Sequence, residues 1–337
     1  MPASLPPLYQ VLPHSIDFYV PGFPVDVQAE KVLAPRPRDC GEWFNDFIDR
    51  VRDALGKSHL PVCRMSDGEF RFAMGDLAPD LRLPVGKRMR LRAAQVINRV
   101  LTAGKFEAGV IFPTARLLYG LRLRKWSETQ ALGAYHSGEY TWLEWWRAKN
   151  HYAELLREIS ERGILAIHLT YGQSFGQGHF QQLASWLDRY GIGLTDRNYV
   201  PLPFVYAAFT GHRRSELLQG KRLLAVTHAD PKKRASVEAA LAREGVADVY
   251  WLEISGRKSL YDSIDPSPYV NRVDLAVVGA GVGKPNILAR LEPLQVPCID
   301  VGFVFEVWAQ PKRARWRDFC APYPLEGHPT DTLVPDS

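Results

Sequence analysis

The sequence predicts an α/β fold: a Rossmann-like, mostly parallel sheet with helices on both faces. Three observations predict it. Short apolar strand candidates are separated by segments of helical period, the pattern of βαβ units. One strand candidate, Pro61 to Met65, delivers Ser66-Asp67-Gly68-Glu69 at its C-terminal end, where such sheets present ligand sites. Another, Val273 to Gly279, runs into a glycine-rich turn ahead of a helix.

The elements follow in order. Trp43, Phe44, Phe47, Ile48, Val51 and Leu55 recur at helical spacing, and Gly56 stops the helix. After the strand at 61–65, residues 87–103 read as a basic amphipathic helix and Gly109 to Pro113 as a buried strand. Residues 138–160 read as an aromatic helix and Ile164 to Leu169 as a strand. Helices are expected over Gln181 to Tyr190, Val205 to Leu218, Lys233 to Glu244 and 285–293, with strands at Arg222 to Thr227, Val249 to Ile254 and Val296 to Val301. The eight prolines between Pro2 and Pro37 make residues 1–38 an extended arm. The α/β domain is expected over 39–321, and 322–337 reads as a loose tail.

At 337 residues and 46% hydrophobic composition, the chain can bury one large core or two small ones. Its net charge of +5 is spread along the chain, which suits phosphate-bearing ligands and argues against nucleic acid as a partner. The four cysteines form no C-x-x-C pair, so a zinc site is not expected and free thiols of a reducing cytosol are. Residues 1–10 do not read as a signal peptide, and no run of 18 apolar residues exists. A cytoplasmic location is the expectation.

The segment Arg64 to Phe70 is the most informative. Gly68 lets the backbone turn between Asp67 and Glu69, and two carboxylates one residue apart can share a hard cation, Mg²⁺ or Mn²⁺. Arg64 could pair with Asp67 or contact phosphate. An ordinary Asp-Gly turn is the competing reading. At the other end, Gly279, Gly281, Gly283 and Lys284 form a phosphate-binding candidate, with backbone N–H groups and one positive charge aimed at an anion. The spacing misses both the P-loop and the dinucleotide fingerprint, and a tight strand-to-helix turn is the alternative.

Arg64-Met65-Ser66-Asp67-Gly68-Glu69-Phe70 resembles the Arg-aromatic-Gly-Asp-Gly-Glu signature of the GT-D type glycosyltransferases, bacterial enzymes of a Rossmann-like fold. Asp274 to Gly302, ending in Ile299-Asp300-Val301-Gly302, is similar to that family's C-terminal block. Thr195 to Val200 is similar, more loosely, to its Ser-Arg-Pro-Tyr-Ile segment. The resemblance implies transfer of a sugar from a nucleotide-diphosphate donor, with uridine diphosphate and glucose as the family's guess. The acceptor would be a glycan, a glycoprotein, or a polysaccharide or lipid-linked precursor. It implies a catalytic and metal-binding role for Asp67 and Glu69, with Mn²⁺ or Mg²⁺. It also implies donor contacts from Arg64, Gly68, Arg197, Gly279, Gly281, Lys284 and Asp300. Ser66, Asn198 and Phe303 depart from the family pattern.

Tyr140, Trp142, Trp145 and Trp146 read first as core packing, then as an acceptor platform, and third as an interfacial helix in peripheral membrane contact. His168 and His179 flank a Gly- and Gln-rich loop that could close over substrate. The basic face carrying Lys87, Arg88, Arg90, Arg92 and Arg99 reads as solvated. Two other functions stay open: a Rossmann-type nucleotide-binding enzyme of different chemistry, and a non-catalytic binding protein of the same fold. Retention or inversion, the catalytic base and the oligomeric state, a homo-oligomer included, are not fixed by the sequence.

Overall fold

Apolar runs too short for helices make the strands, and the longer periodic segments make the helices that cover them. The computed structural model describes residues 10–12, 31–34, 40–65, 69, 72–73, 142–167, 170–171, 186–211, 213–256 and 258–309. In chain order the strands are β1 (Gln10–Leu12), β2 (Lys31–Ala34), β3 (Leu60–Met65), β4 (Ile164–Ile167), β5 (Thr170–Tyr171) and β6 (Tyr199–Pro201). They continue with β7 (Arg222–Thr227), β8 (Asp248–Leu252), β9 (Leu275–Gly279) and β10 (Pro297–Asp300). The described helices are α1 (Cys40–Ala54), α2 (Trp142–Arg162), α3 (Leu202–Thr210), α4 (Arg214–Leu218), α5 (Pro231–Arg243), α6 (Lys284–Arg290) and α7 (Val304–Ala309).

Seven strands form one sheet in the order β6-β4-β3-β10-β9-β7-β8. Every pairing in it is parallel. This is the α/β, Rossmann-like architecture that the alternating pattern predicts. The path explains where a site can form. From β3 the chain steps outward to β4 and β6, then crosses to the other half and builds β7, β8 and β9. Strand β10 comes last and slots between β9 and β3. The order therefore reverses at β3 and β10, and ligand crevices in such sheets open at the C-terminal ends of strands there.

The central strands are covered on both sides, and their burial is continuous: all of β4 and β10, and five residues each of β3 and β7, are buried. That is the signature of parallel strands under two helical layers. Helices α2 and α6 pack together over β3, with α2 reaching β4 and α6 reaching β9 and β10. Helix α3 packs on β3, β4 and β6, with α1, α4 and α7 against it. Apolar on nearly every side, α3 buries Leu202, Phe204, Val205, Tyr206, Ala207, Ala208 and Phe209. Trp43 and Phe44 of α1 meet the Phe204 ring edge-on, each with centroids 5.4 Å away.

Two boundaries differ from the sequence reading for physical reasons. The helix expected over 205–218 is two helices, because the chain turns extended at Gly211 and restarts as α4. Arg213 at that break ties back to α1: its guanidinium contacts Asn45 Oδ1 at 2.9 Å, Asp49 Oδ1 at 2.8 Å and both oxygens of Glu216. The helix expected from Lys233 begins two residues earlier. Asp230 accepts from Lys233 N at 2.8 Å as its N-cap, and Pro231 fits the first turn. The arm at 1–38 is also more than a lead-in. Strand β2 pairs antiparallel with β1 and with β5, giving a three-stranded sheet in the order β1-β2-β5. The expected helix at 87–103, the strand at 109–113, the first half of the helix at 181–190 and the tail at 322–337 lie outside the described residues.

Arg213 holds the Glu216 and Asp49 carboxyls below their usual range by side-chain hydrogen bonds. A depressed acid stabilises the fold above its unfolded value and loses that contribution as pH falls through the folded one. Arg213→Met should therefore cost about 1 kcal/mol at neutral pH, the groups being partly exposed. It should also flatten the loss of stability below about pH 4.5, read by urea denaturation at several pH values.

Candidate functional site

Arg64 is the penultimate residue of β3, and Asp300 is the last of β10. Parallel pairing of the two strands brings them together across 236 residues of sequence. Arg64 Nε donates to the Asp300 carbonyl at 2.7 Å and lies 3.1 Å from Asp300 Oδ2, while Nη2 donates to Oδ1 at 3.1 Å. On its other side the guanidinium lies over the Tyr206 ring, 4.9 Å from the centroid, and Nη1 donates to the Tyr206 hydroxyl. Burial alone would lower the Arg64 pKa; Asp300, with Tyr206 and Glu69 behind it, outweighs that and holds it above its usual value.

Lys284 enters from the start of α6. Its side chain is fully buried, with Nζ 2.7 Å from Glu69 Oε1 and 2.9 Å from Asp300 Oδ2. Asp300 Oδ2 receives no well-directed hydrogen bond; ion-pair contacts to Lys284 and Arg64 hold it. Burial would lower the Lys284 pKa, but Asp300 and Glu69 more than compensate and raise it. Four charged groups thus form one buried chain, Arg64–Asp300–Lys284–Glu69, with two positive and two negative members. Cys63 and Tyr152 sit close by. Burial pushes the Cys63 thiol far up, and burial together with the negative charges of Glu69 and Asp300 keeps the Tyr152 phenol un-ionised. The Tyr152 hydroxyl is buried with no hydrogen-bond partner among the described residues.

Gly302 explains why the strand ends in Asp-Val-Gly. It has φ +46°, and a Cβ on it would lie 1.6 Å from Arg64 Nη2. The guanidinium occupies the space any side chain here would need. Gly283 is fixed by packing in the same way: a Cβ would meet Ser259 Oγ at 2.1 Å and the Ser259 backbone at 2.3 Å. The glycine-rich turn is thus tight against the 3-10 turn Ser259–Tyr261, as its structural reading requires.

Of the residues singled out in the sequence, Arg64, Glu69, Lys284 and Asp300 converge. Asp67 and Gly68 lie outside the described residues. Gly279 and Gly281 stand at the C-terminal end of β9, beside the cluster, with Gly279 against Thr227 and Phe305. Lys284 is turned inward to carboxylates, so the ammonium expected to reach a phosphate is engaged within the protein. Arg197 is not brought here: it precedes β6, at the N-terminal edge of the sheet, where Asn198 O accepts from Leu165 N. Phe303 packs against the core. The side chains of Trp142, Trp145 and Trp146, all of Tyr140, and His168 and His179 lie outside what is described, as does 172–178 of the loop between the histidines; its first residues, Thr170–Tyr171, are strand β5. Sequence reasoning missed Tyr206 and Tyr152, which sit in helices whose apolar pattern hid them.

The carboxylates here do not by themselves suit a divalent cation. Glu69 and Asp300 share an ammonium and Asp300 also holds Arg64, whereas a hard cation takes several oxygen ligands. Among the described residues, no group of three or more His, Cys, Asp or Glu is gathered as metal ligands. Nor, among them, is any helix long and apolar enough to cross a membrane. Compared with known proteins, the chain matches no protein-family model, no curated protein and no solved structure.

Two outcomes follow from this geometry. Gly302→Ala should displace Arg64 and cost about 3–5 kcal/mol in urea denaturation, the loss expected for a broken buried pair. Gly191→Ala, at φ +68° with nothing within 4 Å of the new Cβ, should cost only the left-handed penalty of about 1–2 kcal/mol. Separately, the raised Lys284 pKa stabilises the fold fully below the unfolded value of about 10.4, and this is lost as pH rises through the folded value. Stability should fall more steeply above that pH in the wild type than in Lys284→Arg.

Proposed function

We propose that this chain is a glycosyltransferase that moves a sugar from a nucleotide-diphosphate donor, such as UDP-glucose, to a glycan, glycoprotein or lipid-linked acceptor. The observation that supports this most is the convergence of Arg64, Glu69, Lys284 and Asp300 at the C-terminal ends of β3 and β10. Of the three sequence blocks with family resemblance, those at 64–70 and 274–302 meet, through Arg64, Glu69, Lys284 and Asp300, where the strand order reverses, and the one at 195–200 does not. In this reading the donor lies over those strand ends, with its nucleotide toward the turn after β9.

In this reading the segment between Arg64 and Glu69, which carries Asp67, meets the donor. Its ends are fixed, since Arg64 is locked to Asp300 on one side and Glu69 to Lys284 on the other. In this reading the fixed flanks limit the ordering that remains at the moment of transfer. The Mn²⁺ or Mg²⁺ that the resemblance implies belongs to this proposal through Asp67 and the donor diphosphate; when bound it would neutralise the departing nucleotide. A nucleotide-binding enzyme without a metal is the second reading, and the internally balanced acids favour it.

The test is the melting temperature against a panel of nucleotide-sugars, with and without Mn²⁺, for the wild type and Asp67→Ala. At a hundred times its Kd, the true donor should raise the wild-type Tm by about 4 °C. Asp67→Ala should lose that response while staying folded, and slow hydrolysis of the same donor should be measurable. A metal-independent shift that survives Asp67→Ala selects the second reading. No shift and no turnover with any nucleotide-sugar leaves a non-catalytic binding protein.

A further inference from the structure

We propose that Lys284 is the resident cation of this site: its ammonium stands where a divalent metal would bridge Glu69 and Asp300, so Glu69 anchors Lys284 and is not a metal ligand. The inference deepens the transferase reading, on which it rests for the question of a metal, and it revises the role the resemblance gives to Glu69.

The geometry carries it. Lys284 Nζ lies 2.7 Å from one carboxylate and 2.9 Å from the other, so a single positive point joins both acids. Only 1% of the residue is exposed, against 7% for Glu69 and none for Asp300. This is not a surface lysine that swings aside when a competitor arrives. Its backbone is pinned as well: Gly283 before it is packed against Ser259, and Asn286 after it donates to the Ser259 and Asp262 carbonyls at 3.1 and 2.9 Å. Arg64 supplies the second positive charge on Asp300. Among the described residues the four charges of this chain sum to zero, and a divalent ion on Glu69 would add two more beside two buried cations. Repulsion at such distances in a poorly screened interior disfavours it strongly.

Removing the ammonium should invert the situation. Two carboxylates held close together with only Arg64 left, on Asp300, as a counter-ion are closer to what a hard cation seeks. The experiment measures Mn²⁺ binding to the full chain by the electron paramagnetic resonance of free Mn²⁺, with and without UDP. The variants are Glu69→Gln, Lys284→Met, Lys284→Arg and Asp67→Asn. The expected result is equal Mn²⁺ affinity for the wild type and Glu69→Gln under both conditions, equal absence of binding included. Lys284→Met should bind Mn²⁺ at least tenfold more tightly than the wild type, and Lys284→Arg should not. A tenfold or greater loss of affinity in folded Glu69→Gln overturns the proposal, as does a folded Lys284→Met with no gain. If Lys284→Met does not fold, the Glu69→Gln comparison decides alone. Failure of the transferase reading looks different: no response to nucleotide-sugars, or Mn²⁺ binding with UDP that is indifferent to Asp67→Asn.

Discussion

The ion pair between Arg64 and Asp300 is the contact on which the centre of this fold turns. It joins the first strand of the main sheet to the last, and the sheet closes only when β10 inserts between β3 and β9. Parallel pairing alone would tolerate a shifted register at modest cost, since both strands are apolar along their lengths. A shift by one residue would carry Asp300 away from a buried guanidinium and leave both charges unpaired. The pair adds little net stability over well-packed apolar residues, because both ions leave water to form it. What it adds is a penalty on wrong arrangements. Gly302 completes the device, since only a residue without Cβ leaves room for the guanidinium.

From that pair the charge chain continues to Lys284 and Glu69, and it fixes the ends of β3 and β10 against the start of α6. Rigidity of this kind suits a site that must hold a polar ligand in one pose, because the residues around it lose little freedom on binding. The same logic explains why the glycine-rich turn matches neither nucleotide fingerprint. Its glycines answer to packing against Ser259 and Phe305, and its lysine answers to two carboxylates. A turn of this composition looks like a phosphate cradle in sequence because both demands select glycine.

Much of the fold was legible because burial on both faces leaves a strong mark. Strand β7 was readable to the residue, and β3, β4, β9 and β10 to within two or three. The break at Gly211 was not, since Val205 to Leu218 carries apolar residues throughout, while the partners that Arg213 reaches at the break, Asp49 and Asn45, lie 164 and 168 residues away. In the site, Arg64, Glu69, Lys284 and Asp300 could be picked out singly, by a charged residue at a strand end or beside a glycine turn. Their partners could not. Lys284 was read as facing a phosphate, and Arg197 was grouped with the donor site although it lies at the opposite end of the sheet. Tyr206 and Tyr152 gave no signal, because a tyrosine on the buried face of a helix resembles any other large core residue.

The sequence by itself determined the class of fold and marked strands β3, β4, β7, β8, β9 and β10 in order, because alternation of short apolar runs with helical periods is a local property that survives without neighbours. It also marked which polar residues stand at strand ends. Only the tertiary structure decided which charges meet, because a salt bridge is a fact of distance and 236 residues separate Arg64 from Asp300 in the chain. It decided, too, that Lys284 faces inward: at the start of a helix a lysine points to solvent or to acids with equal ease, and the choice falls to whatever carboxylates the neighbouring elements bring within reach.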